Sequence, residues 1–277
     1  WGDSDTLISI ESIRGSDRVD TLIGGDDDIR LRGEGGDDIL TGGDGDDRLE
    51  GDDGNDSLEG GDGNDTLEGN DGNDTLIPGA QDDYQRVEPG TGDDFIDFAG
   101  AGADFNEVEY ASEGIDGVDV ALSLATDSGT VAKGPAAVDG TDTVVNFANA
   151  VNTFNFGLVT TQGDDSVTLD FDGQDGDVYI RAGQGNDTVS GSNGARIFYD
   201  LRRDVEFDLV APQAAEIDLR LASDQVINDG FGFTDSFSGG LRAGCRLTDV
   251  RDTFTGAEEE DSVRGEGGND SVTGGAG

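Results

Sequence analysis

Aspartate recurs at positions 38, 47, 56, 65 and 74, at an interval of nine residues that does not vary. Two residues after each stands a leucine: Leu40, Leu49, Leu58, Leu67 and Leu76. Glycine fills two further offsets, Gly33, Gly42, Gly51, Gly60 and Gly69 in one series and Gly36, Gly45, Gly54, Gly63 and Gly72 in the other. Carboxylates at a fixed period offer oxygen ligands to a hard cation. With 0 His and 1 Cys in the chain, the imidazole and thiolate sets that zinc or copper prefer cannot be assembled. Calcium accepts carboxylates and carbonyls alike, roughly six to eight oxygens at about 2.3–2.6 Å. It is the ion these residue types fit.

The elements that must position those carboxylates follow from the same spacing. From Gly33 to Ile77 the chain reads GEGGDDILT, GGDGDDRLE, GDDGNDSLE, GGDGNDTLE and GNDGNDTLI, five consecutive blocks of nine residues without insertion. Glycine at fixed offsets supplies the positive-φ geometry of a tight turn. The last three residues of each block place one leucine between two other residues, the period-two pattern of a short, half-buried strand. One turn and one strand per block wind the chain into a coil of stacked strands, with the leucines as an internal column. Stacked strands lie about 4.8 Å apart, so aspartates of successive coils come close together and call for a cation between them.

These blocks resemble the repeats-in-toxin family, whose nonapeptide is Gly-Gly-x-Gly-x-Asp-x-apolar-x. The resemblance implies an all-β fold, a right-handed parallel β-roll or β-solenoid with two repeats per coil and calcium ions in the stacked glycine-rich turns. It also implies which groups hold the ions: the aspartate at position six of each repeat and backbone carbonyls of the turns. Carried outward, the frame adds GSDRVDTLI with Asp20, PGAQDDYQR with Asp83 and, after a two-residue slip, PGTGDDFID with Asp94. Further matches are AGQGNDTVS with Asp187, GAEEEDSVR with Asp261 and GEGGNDSVT with Asp270. GGDDDIRLR, from Gly24, keeps Leu31 but has Ile29 where the aspartate belongs. The expected metal ligands are therefore Asp20, Asp38, Asp47, Asp56, Asp65, Asp74, Asp83, Asp94, Asp187, Asp261 and Asp270.

Between the regular blocks lie alternating stretches that read as strands with one buried face. They include Val118, Val120, Leu122 and Leu124; Val205, Phe207 and Leu209; and Ile217, Leu219 and Leu221. Tyr110 precedes the first as Tyr199 precedes the second, which points to a larger duplicated unit of about ninety residues. The expected organisation is an N-terminal β-roll block at 1–110, a degenerate strand cassette with a second short repeat block at 111–199, and another cassette with a C-terminal repeat block at 200–277, joined in one continuous solenoid. No helix of ten residues or more is expected. Phe154, Phe156, Phe231, Phe233 and Phe237 are read as strand-core packing, Cys245 as a small buried residue, and Glu258, Glu259 and Glu260 as a solvated turn.

Charge sets the partners. Against 16 Lys and Arg stand 63 Asp and Glu, a formal net charge of -47 in 277 residues. Such self-repulsion opposes a compact state unless counter-ions bind. It argues against nucleic acid and anionic membranes, both of which demand basic surface. The single Cys245 permits no internal disulfide, which leaves metal as the staple. Lack of histidine removes HExxH zinc proteases and Ser-His-Asp hydrolases, no GxSxG elbow is present, and Asp175 stands where a calcium loop opening at Asp170 would require glycine. The chain opens on Trp1 and has 0 Met, as expected of a processed or truncated piece whose export signal lies elsewhere.

The functional expectation is a non-enzymatic, calcium-binding structural module of a secreted bacterial protein. It would fold on meeting calcium outside the cell, by the type I export route that the family resemblance implies. Two alternatives stand beside it: a calcium-bridged surface-layer, filament or adhesin subunit, whose partners are further copies or cell-surface glycans, and a fragment of an extracellular polysaccharide-acting enzyme.

Overall fold

A leucine flanked by polar residues can bury itself only if its neighbours point the other way, and that alternation is what the chain adopts. The computed structural model describes residues 10–79, 84–98, 105–110, 115, 117–123, 126–134, 140–146, 154–161, 163–170, 176–181, 187–191, 195–200, 216–218, 225–228, 234–238, 242–246, 253–255, 262–264 and 268–273. Among these residues every regular element is a strand and none is a helix. In the regular block successive strands alternate between two sheets, one of eleven strands and one of fifteen. Strands Arg30–Gly35, Arg48–Asp53 and Thr66–Asp71 follow one another in the first sheet, and Ile39–Asp44, Ser57–Asp62 and Thr75–Gly79 in the second.

All these pairings are parallel, and each residue meets its partner eighteen positions on: Leu31 pairs with Leu49 and Leu49 with Leu67, while Leu40 pairs with Leu58 and Leu58 with Leu76. One coil is therefore two nonapeptides, as the family resemblance implies, and the architecture is a β-solenoid. All six of those leucines are completely buried, and Val87, Ile96, Val108 and Val144 extend the column. A parallel sheet needs both ends of each strand turned; here three-residue turns suffice because the next strand belongs to the opposite sheet.

The strands are longer than the sequence pattern suggests. Arg48–Asp53 and Ser57–Asp62 cover positions seven to nine of one repeat and one to three of the next. The two glycine series consequently have different jobs. Position four takes the left-handed backbone throughout, with φ of 113° at Gly36, 150° at Gly54 and 141° at Gly72. Position one keeps an ordinary φ and is glycine because other atoms approach it closely.

Beyond the regular block the first sheet continues through Tyr84–Glu88, Phe105–Glu109, Phe154–Val159 and Gly176–Arg181. The second sheet is widened by an antiparallel strand. Thr141–Val145 pairs in parallel with Phe95–Asp97, then antiparallel with Ser128–Lys133, which in turn pairs antiparallel with Val118–Ser123. The inward residues of Val118–Ser123 are Val118, Val120 and Leu122, as their alternation predicts; Leu124 lies outside the described residues.

The same three-strand insertion recurs as Glu216–Asp218, Gln225–Asn228 and Thr234–Ser238. Ile217 lies in its first strand, whereas the Val205, Phe207, Leu209, Leu219 and Leu221 positions, like Phe231, Phe233 and the Glu258 to Glu260 run, fall outside the described residues. Phe156 is buried edge-on against Phe98. Cys245 pairs in register with Val263.

Candidate metal centre

Each position-six aspartate closes a turn just before its strand begins, so its carboxylate lies beside the coil that precedes it. Asp38, Asp47, Asp56, Asp65 and Asp74 are all nearly inaccessible to solvent, at 1–3 %. Their two oxygens are used differently. Oδ1 accepts the backbone N–H of the position-six residue one coil earlier: Asp38 from Asp20 at 2.7 Å, Asp56 from Asp38 at 2.7 Å, Asp74 from Asp56 at 2.7 Å and Asp94 from Asp74 at 2.8 Å. On the other edge Asp47 accepts from Ile29 at 2.9 Å and Asp65 from Asp47 at 3.0 Å. Oδ2 of Asp38, Asp47, Asp56, Asp65 and Asp74 is buried and has no hydrogen-bond partner among the described residues.

The surroundings of that spare oxygen are oxygen-rich. A methyl group placed on Gly51 would overlap Asp56 Oδ2 and lie 2.9 Å from the carbonyl oxygen of Gly69. On Gly33 it would overlap Asp38 Oδ2 and approach the Gly51 carbonyl at 2.7 Å, and on Gly42 it would do the same with Asp47 Oδ2 and the Gly60 carbonyl at 2.6 Å. A carboxylate oxygen and a carbonyl from the next coil thus approach the same glycine at every regular turn, closer than any Cβ would allow. Among the described residues no cluster of three or more His, Cys, Asp or Glu side chains could hold an ion, so an ion at these turns would need carbonyls among its ligands. Calcium accepts such a mixed set, and an orphaned buried anion is costly without a counter-charge. The residues present fit the ion.

Electrostatics agree. Burial, only partly offset by the N–H bond from the preceding coil, raises the Asp47 and Asp56 carboxyls to about 6, Asp65 to about 7 and Asp74 to about 8. Asp38 is raised in the same sense and for the same reason. A bound cation is what would hold them ionised.

A second ladder runs in the opposite direction at position five. Asp46 Oδ1 accepts the Asn64 N–H at 2.9 Å and Asn55 Oδ1 accepts the Asn73 N–H at 2.9 Å, each from the following coil. Adjacent aspartate or asparagine side chains therefore grip one coil on each side. On the outer face of the first sheet, Glu50 receives Arg30 at 2.5 Å and Arg48 at 2.6 Å, and Arg48 reaches Glu68 at 2.5 Å. Arg86 joins Glu88 and Glu109 further along, so most of the few cations of the regular coils lie on one face.

The expected ligands divide accordingly. Asp20 is only partly buried, and its Oδ2 accepts from the N–H and hydroxyl of Ser16. Asp94 belongs to the column, but its Oδ2 is taken by Lys133 at 2.7 Å. Asp187 is buried and its Oδ1 accepts the Asp165 N–H at 2.9 Å. Asp270 is partly buried before the last strand, Ser271–Thr273. Asp83 and Asp261 lie outside the described residues.

For Asp83 the frame itself needs correction. Val87 pairs with Leu67, which puts Gln85 at position six. Gln85 is buried, its Oε1 accepts the Asp65 N–H at 3.1 Å, and its Nε2 donates to the Gly63 carbonyl at 2.6 Å. The two extra residues fall before Gln85 rather than after Arg86, because Val87 and not Gln85 takes the inward position eight.

Two column members were missed. Asp142 is completely buried and its Oδ1 accepts the Asp94 N–H at 3.0 Å. Asp165 accepts the Val118 N–H at 2.7 Å and the Thr161 N–H at 3.0 Å. The signal was present as Gly140-Thr141-Asp142-Thr143-Val144 and Gly163-Asp164-Asp165-Ser166-Val167, repeats that keep the position-four glycine but have Ala137 and Thr160 where the position-one glycine belongs. The two edges are also unequal: one carries Asp38, Asp56, Asp74, Asp94 and Asp142, while the other has Ile29, Asp47, Asp65, Gln85 and Asn106.

In comparison with known proteins, a family model described as RTX calcium-binding nonapeptide repeat (4 copies) matches residues 14–49, 30–58, 50–84, 170–197 and 248–277. No curated protein matches the chain.

Proposed function

We propose that this chain, which carries RTX calcium-binding nonapeptide repeats, is a structural module that folds by taking up calcium between its coils, and that it does so after export. The repeats make it a calcium-binding repeat protein; the coupling to folding, the site residues and the extracellular setting are the reading argued here. The observation that carries it is the buried, unpartnered Oδ2 of Asp38, Asp47, Asp56, Asp65 and Asp74, each close to a carbonyl oxygen of the next coil at a glycine that has no room for a Cβ.

Calcium would supply positive charge to those turns and gather their oxygens as ligands. Everything else is done by the chain. The position-six Oδ1 fixes the carboxylate against the preceding coil, so that Oδ2 alone is presented. The position-one glycine withholds a Cβ, and the next coil's carbonyl points into the same space. One leucine per nonapeptide buries too little apolar surface to order nine residues that also repel one another. Binding to the folded form alone shifts that balance by mass action. Extracellular calcium modules bind at about 10⁻⁴–10⁻³ M, which suits folding outside a cell and not within it. Catalysis has no part in this reading: the carboxylates of the turns would serve as ligands, and Glu50 on the outer face is paired with Arg30 and Arg48.

Circular dichroism of the whole chain in chelator and then in millimolar calcium tests it. The expected result is a spectrum of largely unfolded chain in chelator, the regular block at 33–77 having lost its strands, that gains β structure on adding calcium. A β spectrum unchanged by excess chelator at neutral pH overturns the reading.

A further inference from the structure

At one place in the aspartate column the chain supplies a cation of its own. Lys133, the last residue of the inserted strand Ser128–Lys133, is completely buried. Its Nζ donates to the Gly90 carbonyl, to Asp94 Oδ2 and to Asp142 Oδ1, each at 2.7 Å. An ammonium has three N–H donors, and here each finds one oxygen.

Those oxygens are of the kinds that line the regular turns. Asp94 and Asp142 are position-six residues of successive coils, joined by the Asp94 N–H to Asp142 Oδ1 bond that repeats all along the column. Gly90 is position two of the Asp94 repeat, with the left-handed backbone, φ 85°, also found at that position in Gly43 and Gly61. What differs is Oδ2. In Asp38, Asp56 and Asp74 it has no hydrogen-bond partner, and in Asp94 it has the ammonium. The lysine can arrive only because the solenoid is interrupted there: Ser128–Lys133 runs antiparallel to Thr141–Val145 and delivers its final side chain to the turn.

We propose that Lys133 is a built-in counter-ion that replaces calcium between Asp94 and Asp142, so that the junction of the regular block with the inserted strands stays closed when the ion is withdrawn. This rests on the calcium reading given above. It adds that the column is not uniformly calcium-dependent, and that one coil is secured by a residue, leaving a folded edge on which the calcium-dependent coils can stack. In a solenoid each coil is stabilised by its neighbours, so such an edge lowers the cost of starting the regular block.

Hydrogen exchange of the whole chain, read by mass spectrometry peptide by peptide, tests both readings separately. In chelator the wild-type segment 39–74 is expected to exchange freely while 95–98 and 141–146 keep their protection. In Lys133→Met, which keeps the length and removes the charge, 141–146 should lose protection in chelator and regain it with calcium. If 95–98 and 141–146 lose protection together with 39–74 in wild type, the Lys133 proposal is wrong and the calcium reading stands. The proposal also fails if Lys133→Met keeps protection at 141–146 in chelator, or loses it and does not recover it with calcium. Protection of 39–74 in chelator removes the calcium reading, and this one with it.

Discussion

Asp56 accepts the backbone N–H of Asp38 through Oδ1 at 2.7 Å across one coil, while its Oδ2 lies buried without a partner. One carboxylate thus divides its duties, the first oxygen holding the coils together and the second left for an ion. Substitutions that separate these duties should give different phenotypes.

Asp56→Asn keeps an oxygen for the Asp38 N–H and replaces the spare oxygen by an amide. Calcium affinity depends on the number of charged ligands over several decades. The calcium midpoint of folding should therefore rise by about tenfold, with β structure still reached at saturation. Asp56→Ala removes both oxygens and should fail to reach it. Titration of the far-ultraviolet circular dichroism distinguishes the pair, and equal midpoints for wild type and Asp56→Asn would assign the ion elsewhere.

Gly51→Ala places a methyl against Asp56 Oδ2 and 2.9 Å from the Gly69 carbonyl, displacing the proposed ligands while replacing neither. It should weaken calcium binding and cost about 1–3 kcal/mol of stability in calcium, the usual scale of overpacking. Gly25→Ala is the control, since nothing lies within 4 Å of the position its Cβ would take. Thermal melts in calcium should show a lowered Tm for the first and little change for the second.

The raised carboxyls set a pH dependence for the ion-free chain. The folded-state values of Asp47, Asp56, Asp65 and Asp74, about 6 to 8, exceed the ordinary aspartate value of 3.8. The folded form then binds more protons than the unfolded one over that interval, and stability falls as pH rises. The stabilisation is fully present below about 4 and is lost as pH climbs through 6 to 8. In chelator, β structure should therefore increase as pH is lowered from 8 to 5, with protons taking the place of calcium, and calcium affinity should weaken over the same range. Ion-free β content that is independent of pH would contradict the burial of these groups.

Glu50 is nearly buried and lies between Arg30 and Arg48 on the outer face of the first sheet. Both arginines are about half exposed, 52 % and 45 %, so solvent screens the pairs and much less than a fully buried ion pair is at stake. Glu50→Gln should cost about 1 kcal/mol in the calcium-loaded protein, read as a modest drop in Tm that high salt diminishes. Calcium affinity should not change, because the side chain is on the sheet face and not in a turn.

Much of this was legible beforehand. A period of nine with leucine at position eight dictates an inward column, and Leu31 to Leu76 form it without exception. Gly36, Gly54 and Gly72 occur where a left-handed backbone is required. Less legible was the reason for Gly33, Gly42 and Gly51, whose role is to leave space and not to bend the chain. Asp142 and Asp165 escaped notice because their repeats keep only the position-four glycine, Gly140 and Gly163, and have Ala137 and Thr160 at position one. Gln85 was displaced by a two-residue slip whose position the local pattern leaves open.

The sequence by itself determined the strand period, the oxygen-only chemistry and the stacking of like on like, since these depend on residues within nine positions of one another. Tertiary structure alone decided which carboxylate oxygen is spare, why one edge carries five aspartates and the other only two in the same span, and how Lys133 comes to lie on Asp94 and Asp142. The physical reason is the coil. It brings residues eighteen apart into register, and an inserted antiparallel strand returns a lysine across 39 positions to Asp94, a meeting that no local spacing encodes.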